Sequence, residues 1–267
     1  MNMQLKDKIA IVVGAGQSAG ETIGNGRATA IRFARAGAQV LLVDKDVASA
    51  EETARMIAQE KGRTSVLGAD ITIEGDCRAI GETCVHRYGR IDVLHNNVGT
   101  LRGDGGSVDL SGEDWQRLMD INLKGLFLTC KYVLPVMRAQ GSGVIVNISS
   151  TAAVCFRPRT LAYKIAKAGI NALTQNLALE NAPYGVRVNA ILPGLMDTPM
   201  AIESRVQDQG VNRNALRRER AAQVPLEQRM GSAWDVAAAA VFLASDEAKY
   251  ITGVLLPVDG GLSARVG

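Results

Sequence analysis

Tyr163 and Lys167, in the run YKIAK, stand four residues apart, which puts a phenol and an ammonium on one face of a helix. A free phenol has a pKa of about 10 and keeps its proton at neutral pH. A neighbouring positive charge favours the phenolate, so the pair can take up and return a proton near neutrality. Thirteen residues upstream of Tyr163, the apolar run GVIVNISS closes on Ser149 and Ser150. In an extended segment those two hydroxyls face opposite ways, so only one of them can share a space with the phenol.

A second kind of chemistry is written near the start. The stretch GAGQSAGETIGNG, residues 14–26, follows the apolar run IAIVV and holds five glycines in thirteen residues, as a phosphate-cradling turn would. Two registers compete. Gly14-Ala15-Gly16-Gln17-Ser18-Ala19 fits the dinucleotide pattern G-x-G-x-x-A, but it would bury Gly20, Gly24 and Gly26 in the first turns of the following helix. Each would cost about 1 kcal/mol against Ala there. From Gly26 onward, GRATAIRFARAG reads as an amphipathic helix closed by Gly37. The helix is therefore expected to begin near Gly24, with Gln17–Ile23 looped out and Gly14, Gly24 and Gly26 letting backbone amides approach a pyrophosphate.

The elements that would position these groups follow a regular rhythm. Apolar runs at 9–14, 40–44, 65–70, 91–96, 143–149, 186–192 and 254–259 alternate with helical segments. Such alternation predicts an α/β fold, a doubly wound seven-stranded parallel sheet with helices on both faces. No linker composition or internal repeat divides the chain, so residues 1–267 are read as one domain. The stretch 195–225 breaks the rhythm beyond the end of the sixth strand and is a candidate substrate lid. It carries Arg205, Arg213, Arg217, Arg218 and Arg220. These are read as a solvated helical face, against the alternative that Arg213, Arg217 or Arg220 recognises an anionic substrate.

Composition bounds the rest. The chain has 267 residues, 47% hydrophobic and 21% charged, with a net charge of +3, too mild to imply a nucleic-acid partner. No run is long enough for a membrane span and the first residues lack an apolar leader, so a cytoplasmic location is expected. Four scattered cysteines and two histidines show no metal-ligand spacing, and no metal is expected. His95 is read as a packed strand-end residue.

A turn glycine followed by Gly-x-Gly, then Asn122 in MDINLKGLF, Ser150, Tyr163 and Lys167 in that order, resembles the short-chain dehydrogenase/reductase family with its Asn-Ser-Tyr-Lys tetrad. Two departures stand out: Val13 replaces the usual Thr, and about six extra residues separate the first two glycines. The resemblance runs from KIAIVVG to ITGVLLPVDGG and implies a Rossmann-type fold and hydride transfer between a nicotinamide cofactor and a secondary alcohol or ketone. It implies that Tyr163 is the acid–base, that Ser150 rather than Ser149 orients the substrate oxygen, that Lys167 holds the nicotinamide ribose, and that Asn122 seats a proton-carrying water. Asp70 and Ile71 resemble the family's adenine pair. Asn96-Asn97-Val98-Gly99 resembles its NNAG turn, with Asn97 and Gly99 at the cofactor, and Pro193-Gly194-Leu195-Met196-Asp197-Thr198 resembles the segment holding the carboxamide.

Asp44, closing VLLVD, can accept bonds from both adenosine-ribose hydroxyls and repel a 2′-phosphate, which favours NAD over NADP; the other reading has it cap the helix expected at 48–61. An NADPH-dependent ketone reductase, from Lys45 and Arg27, and a non-catalytic cofactor-binding sensor or scaffold are the competing functions. Leu101, Val154, Phe156, Leu195, Met196 and Met200 are expected as apolar walls for a carbon-rich substrate. The insertion is expected to arch over the phosphates as a flap or to be inert elaboration, with Glu21 facing solvent. Residues 166–180 and 112–137 resemble the helices the family pairs across a two-fold, which implies a homotetramer.

Overall fold

The computed structural model describes residues 3–265, the side chains of 208 and 209 excepted. Its strands are β1 (Ile9–Val13), β2 (Gln39–Asp44), β3 (Arg63–Gly68), β4 (Val93–Asn96), β5 (Gly143–Ile148), β6 (Val186–Pro193) and β7 (Leu255–Val258). They form one parallel sheet in the order β3-β2-β1-β4-β5-β6-β7, as the alternating runs predict. The helices are α1 (Asn25–Arg35), α2 (Val47–Gln59), α3 (Glu74–Tyr88), α4 (Gly112–Met119), α5 (Gly125–Gln140), α6 (Leu161–Asn181), α7 (Pro199–Gln209), α8 (Arg213–Ala222) and α9 (Ala233–Ala244).

Strand periodicity splits the core in two. Ile9, Ile11 and Val13 face a cluster with Ile80 of α3, Val133 of α5 and Ile170 of α6. Ala10 and Val12 face the opposite cluster, with Ile31 and Phe33 of α1, Ile57 of α2 and Val236 of α9. Because β1 is buried along its whole length, both of its faces must be apolar, and IAIVV meets that requirement.

Two boundaries differ from expectation. β3 covers 63–68 rather than 65–70, because Asp70 leaves the ladder to accept the N–H and hydroxyl of Thr72. α2 starts at Val47 under an Asp46 cap and ends at Gln59, short of Lys61 with its positive φ. The reading of Asp44 as the cap is thereby overturned: Asp46, two residues on, accepts the Ser49 N–H.

Between α4 and α5 the chain widens into a π-turn over Asp120–Lys124, with Asn122 fully buried inside it. Such widened turns re-aim a side chain within an otherwise continuous helical path.

Candidate active site

The strand order reverses between β1 and β4, so the loops leaving these strands part and a crevice opens at their carboxyl ends. The cleft there has a volume of about 1320 Å³. Every residue singled out from the sequence for NAD binding or catalysis lines it, except Asn122, which lies buried behind it.

At one end stands the N-terminus of α1. The helix begins at Asn25 with Gly24 as its N-cap, which settles the register in favour of Gly14, Gly24 and Gly26 over the shorter pattern. Gly14 has φ +82°, and a Cβ on Gly26 would come within 1.8 Å of the Gly14 carbonyl oxygen, so neither position admits a side chain. No side chain caps the helix and no acid lies in its first turn, which leaves backbone N–H groups open toward the cleft. The Asn25 Oδ1 is buried without a partner. This end fits a pyrophosphate.

The insertion is tied down rather than loose. Gln17 Oε1 accepts the Gly24 N–H at 2.9 Å and its amide donates to the Thr22 carbonyl at 3.3 Å, closing the loop on itself. Glu21 is exposed, as expected, and in addition accepts from Arg213 at 3.1 Å and Arg217 at 3.0 Å on α8. Arg213 also pairs with Glu203, and Arg217 with Asp197. The solvated-face reading of the arginines is thus corrected: opposite charges on three segments neutralise two of them, and Arg220 is buried.

Asp44 lies at the cleft edge with both oxygens oriented, Oδ2 by the Gly16 N–H at 2.9 Å and Oδ1 by the Asp46 N–H at 3.0 Å. Arg27 turns away onto α2, donating to Thr53 at 2.9 Å and to the Ser49 carbonyl at 3.0 Å. Lys45 remains exposed at the edge.

At the other end, α6 presents Tyr163 and Lys167. The Lys167 ammonium lies 5.5 Å from the Tyr163 ring centre and donates to the Ile148 carbonyl at 2.8 Å. A Cβ on Gly99 would meet Asn122 Oδ1 at 3.1 Å and Lys167 Nζ at 3.2 Å, so the NNVG turn, the π-turn and α6 converge on one point. Asn122 is held there by the Thr100 N–H at 2.9 Å and by donating to the Thr100 and Leu118 carbonyls. Ser149 turns inward to the Lys167 carbonyl at 3.0 Å, while the Ser150 hydroxyl caps the next turn and faces the phenol. Burial raises the Tyr163 phenol, and Ser150, Arg157 and Arg205 pull it down. Burial alone lowers Lys167 to about 7.

A family model described as enoyl-(acyl carrier protein) reductase matches residues 19–263. The chain superposes on a short-chain dehydrogenase/reductase of Burkholderia xenovorans with a TM-score of 0.94 and 42% identity, covering 99% of each chain. The chain belongs to the short-chain dehydrogenase/reductase family. Levodione reductase of Leifsonia aquatica is 36% identical over 97% of this chain and 95% of its own length. A xylitol dehydrogenase solved with NAD⁺ bound is 31% identical with a TM-score of 0.87, covering 97% of this chain and 100% of its own.

As a member of the family the chain is an oxidoreductase that uses a nicotinamide cofactor on alcohol or ketone substrates. Of the six expected apolar walls, only Met196 and Met200 line the cleft; Leu195 is buried, Leu101 is half-buried outside the lining, and Val154 and Phe156 are exposed. His95 is fully buried against Phe33, and desolvation lowers it to about 3, so it stays neutral in the core. Burial also pushes Cys84 and Cys130 up to about 12, which leaves them unreactive thiols.

Sequence reasoning missed Asp104. Its carboxylate accepts the Ala162 N–H at 3.1 Å and the Tyr163 N–H at 2.9 Å, capping α6 from a remote loop where Thr160, the local cap residue, donates its hydroxyl back to the Arg157 carbonyl and caps nothing. Asp104→Ala is expected to cost about 1 kcal/mol of stability, the usual value of a cap. It should also lower kcat through looser placement of Tyr163, with Asp104→Asn milder in both. Urea unfolding and steady-state rates check this.

Lys167 also makes stability depend on pH in the protein without cofactor. Above about pH 7 the folded side chain is neutral while the unfolded one, near 10.5, still holds a proton. Unfolding then takes up a proton, so stability rises with pH from about 7. His95 acts with the same sign only below its unfolded value of 6.5, and Arg220 only above about 9. Unfolding free energies between pH 7 and 8.5 should therefore climb in the wild type and lose that climb in Lys167→Met, which instead falls slightly toward pH 8.5 as the thiols of Cys77, Cys84 and Cys130, ionising near 9 only when unfolded, begin to favour the unfolded chain; a wild-type profile no steeper than the variant's would refute the assignment.

Proposed function

We propose that the chain interconverts a secondary alcohol and its ketone with NAD as the preferred cofactor, and that Asn122, Ser150, Tyr163 and Lys167 carry the reaction. The observation that carries this reading is the convergence of Lys167 Nζ and Asn122 Oδ1 at Gly99, beside a buried phenol and across the cleft from an open helix N-terminus. A bound nicotinamide would supply the hydride acceptor for the alcohol carbon, held by the residues named below. Tyr163 takes the hydroxyl proton, or returns it in reduction. Ser150 orients the substrate oxygen, Lys167 binds the nicotinamide ribose, and Asn122 serves a water that relays the proton onward.

Gly14, Gly24 and Gly26 would admit the pyrophosphate to the amides of α1, and Asp44 the adenosine ribose. Asp70 and Ile71 would take the adenine, Asn97 and Gly99 the turn beside it, and Pro193, Gly194, Met196 and Thr198 the carboxamide. The commitment of Arg27 to α2 supports NAD, since one cation that a 2′-phosphate would need is already engaged. Exposed Lys45 is the observation favouring the alternative, an NADPH-dependent ketone reductase. Screening secondary alcohols for NADH formation tests the main reading, with Tyr163→Phe as the control; no turnover of any alcohol or ketone by the wild type would sink it.

We read residues 1–267 as one Rossmann-type domain in which 195–225, now α7 and α8, covers the substrate. The free cysteines fit a reducing compartment, and the proposed location is the cytoplasm. No helix among the described residues is long and apolar enough to cross a membrane. We further propose a homotetramer built on α5 and α6, which carry the exposed Phe127, Ile165 and Leu179. Light scattering at micromolar concentration should give four times the chain mass; a monomer would remove the claim.

A further inference from the structure

The insertion 17–23 and the segment 195–225 meet across the cleft. Ser18 and Ala19 line one bank, and Pro199, Met200 and Glu203 line the other. At Gly20 the banks touch: a Cβ there would come within 2.8 Å of Glu203 Cγ and 2.9 Å of Pro199 Cβ. The seam takes a residue without a side chain, and the charges beside it are matched. Arg213 and Arg217 stand four residues apart on α8 and share one face. Arg213 donates from Nε and Nη2 to Glu203, at 3.1 and 2.7 Å, and from Nη1 to Glu21 Oε1 at 3.1 Å. Arg217 donates from Nε to Asp197 at 3.2 Å and from Nη1 to Glu21 Oε2 at 3.0 Å. Each arginine is thus aimed by a carboxylate of its own segment and gives another nitrogen to the insertion, where Glu21 commits both oxygens.

The two sides of this link differ in firmness. On the insertion side, Gln17 is fastened to the turn that would cradle the pyrophosphate: its Oε1 accepts the Gly24 N–H at 2.9 Å, and its own N–H donates to Ser49 Oγ at 2.8 Å. On the other side, α7 and α8 pack chiefly on each other among the helices and strands. An element with few contacts to the body of a domain opens at low cost, so the bonds that tie it down set how often it opens. The ion pairs here are partly exposed, with the Glu21 side chain at 56% and that of Arg217 at 22%. Such pairs are weak singly, gain when joined in a network, and are screened by salt.

We propose that Glu21, Arg213 and Arg217 form an ionic clasp that fastens the lid 195–225 to the insertion over the phosphate end of the cleft, so that a bound dinucleotide leaves only after the clasp opens. This rests on the reading of the cleft as a dinucleotide site and of 195–225 as its cover. The extra residues of the glycine turn then have a task, which is to carry one carboxylate out to α8. Glu21 is a positioning residue: it acts through the lid and touches no reacting atom. The competing explanation is that the network only stabilises the folded surface.

The test loads the full-length protein with NADH and, separately, with NADPH, and follows release by stopped-flow fluorescence against excess oxidised dinucleotide. The wild-type rate should rise between about 0.05 and about 0.5 M sodium chloride, as the screening length shortens. Glu21→Gln should raise the low-salt rate by about three- to tenfold, through the loss of two partly exposed ion pairs, and remove much of the salt dependence. The slope that survives in that variant belongs to the pyrophosphate. Glu21→Asp keeps the charge on a shorter stem and should fall between the two. Arg217→Gln should add less to the Glu21→Gln variant than it does to the wild type, because both act through one bond. Gly20→Val wedges the seam without changing a charge and should also speed release. In the cofactor-free protein, tryptic cleavage within 213–220 should be faster in Glu21→Gln than in the wild type.

Equal release rates and equal salt profiles in the wild type and Glu21→Gln, with dinucleotide binding intact, would overturn the clasp and leave the cofactor site standing. A lower melting temperature with unchanged release would do the same, assigning the network to the fold alone. Binding of neither dinucleotide would remove the cofactor site, and the clasp with it.

Discussion

Tyr163→Phe is expected to lower kcat by about 10²–10⁴-fold, the usual contribution of a positioned acid–base group, while NADH affinity stays close to the wild type. The substitution removes one oxygen and keeps the ring that Lys167 packs beside, so the fold and the cofactor end of the cleft are untouched. Lys167→Ala should behave differently. Its ammonium is fully buried at the point where Gly99 and Asn122 meet, and it is assigned both the nicotinamide ribose and the electrostatic support of the phenolate. Turnover and cofactor affinity should therefore fall together. Progress curves on a secondary alcohol with fluorescence titration of NADH separate the two cases. A Phe variant that keeps near wild-type turnover would show that some other group accepts the proton.

What could be read from the sequence and what could not divide along a physical line. Periodicity and turn chemistry are local, so the seven runs revealed the sheet, and the cost of glycine inside a helix placed the start of α1 at Gly24. The i,i+4 spacing of Tyr163 and Lys167 likewise survives folding unchanged, because one helix carries both. Partners that meet only through the tertiary fold left no such trace. Glu21 finds Arg213 and Arg217 across 192 and 196 residues of chain, pairings that no local pattern announces. Asp104 caps α6 from 59 residues away, so the residues next to the helix start carry no sign of it. Arginine-rich composition flagged 195–225, but one stretch holds two opposite environments: Arg213 and Arg217 are ion-paired, and Arg220 is buried with an Nε that has no partner among the described residues.

The proposed preference for NAD turns on one carboxylate, and Asp44→Ala is expected to reverse it. The Gly16 and Asp46 N–H groups fix both oxygens of Asp44 at the cleft edge, each oxygen keeping a further lone pair for a ribose hydroxyl. Hydrogen bonds to a charged acceptor are worth about 1.5–3 kcal/mol each, so losing two should weaken NAD by about a hundredfold or more. For NADP the balance has the opposite sign: the carboxylate that repels a 2′-phosphate is gone, and exposed Lys45 stands at the same edge. Alanine also strips the Gly16 and Asp46 amides of their acceptor, which a fall in melting temperature would report. Asp44→Asn separates the effects, because it keeps an acceptor and removes only the charge. Its NADP-to-NAD affinity ratio should rise with less loss of NAD binding than in the alanine variant. Titrations of both variants with both dinucleotides decide the matter, and a preference unchanged from the wild type in each would mean that Asp44 serves the Gly16 turn and not the ribose.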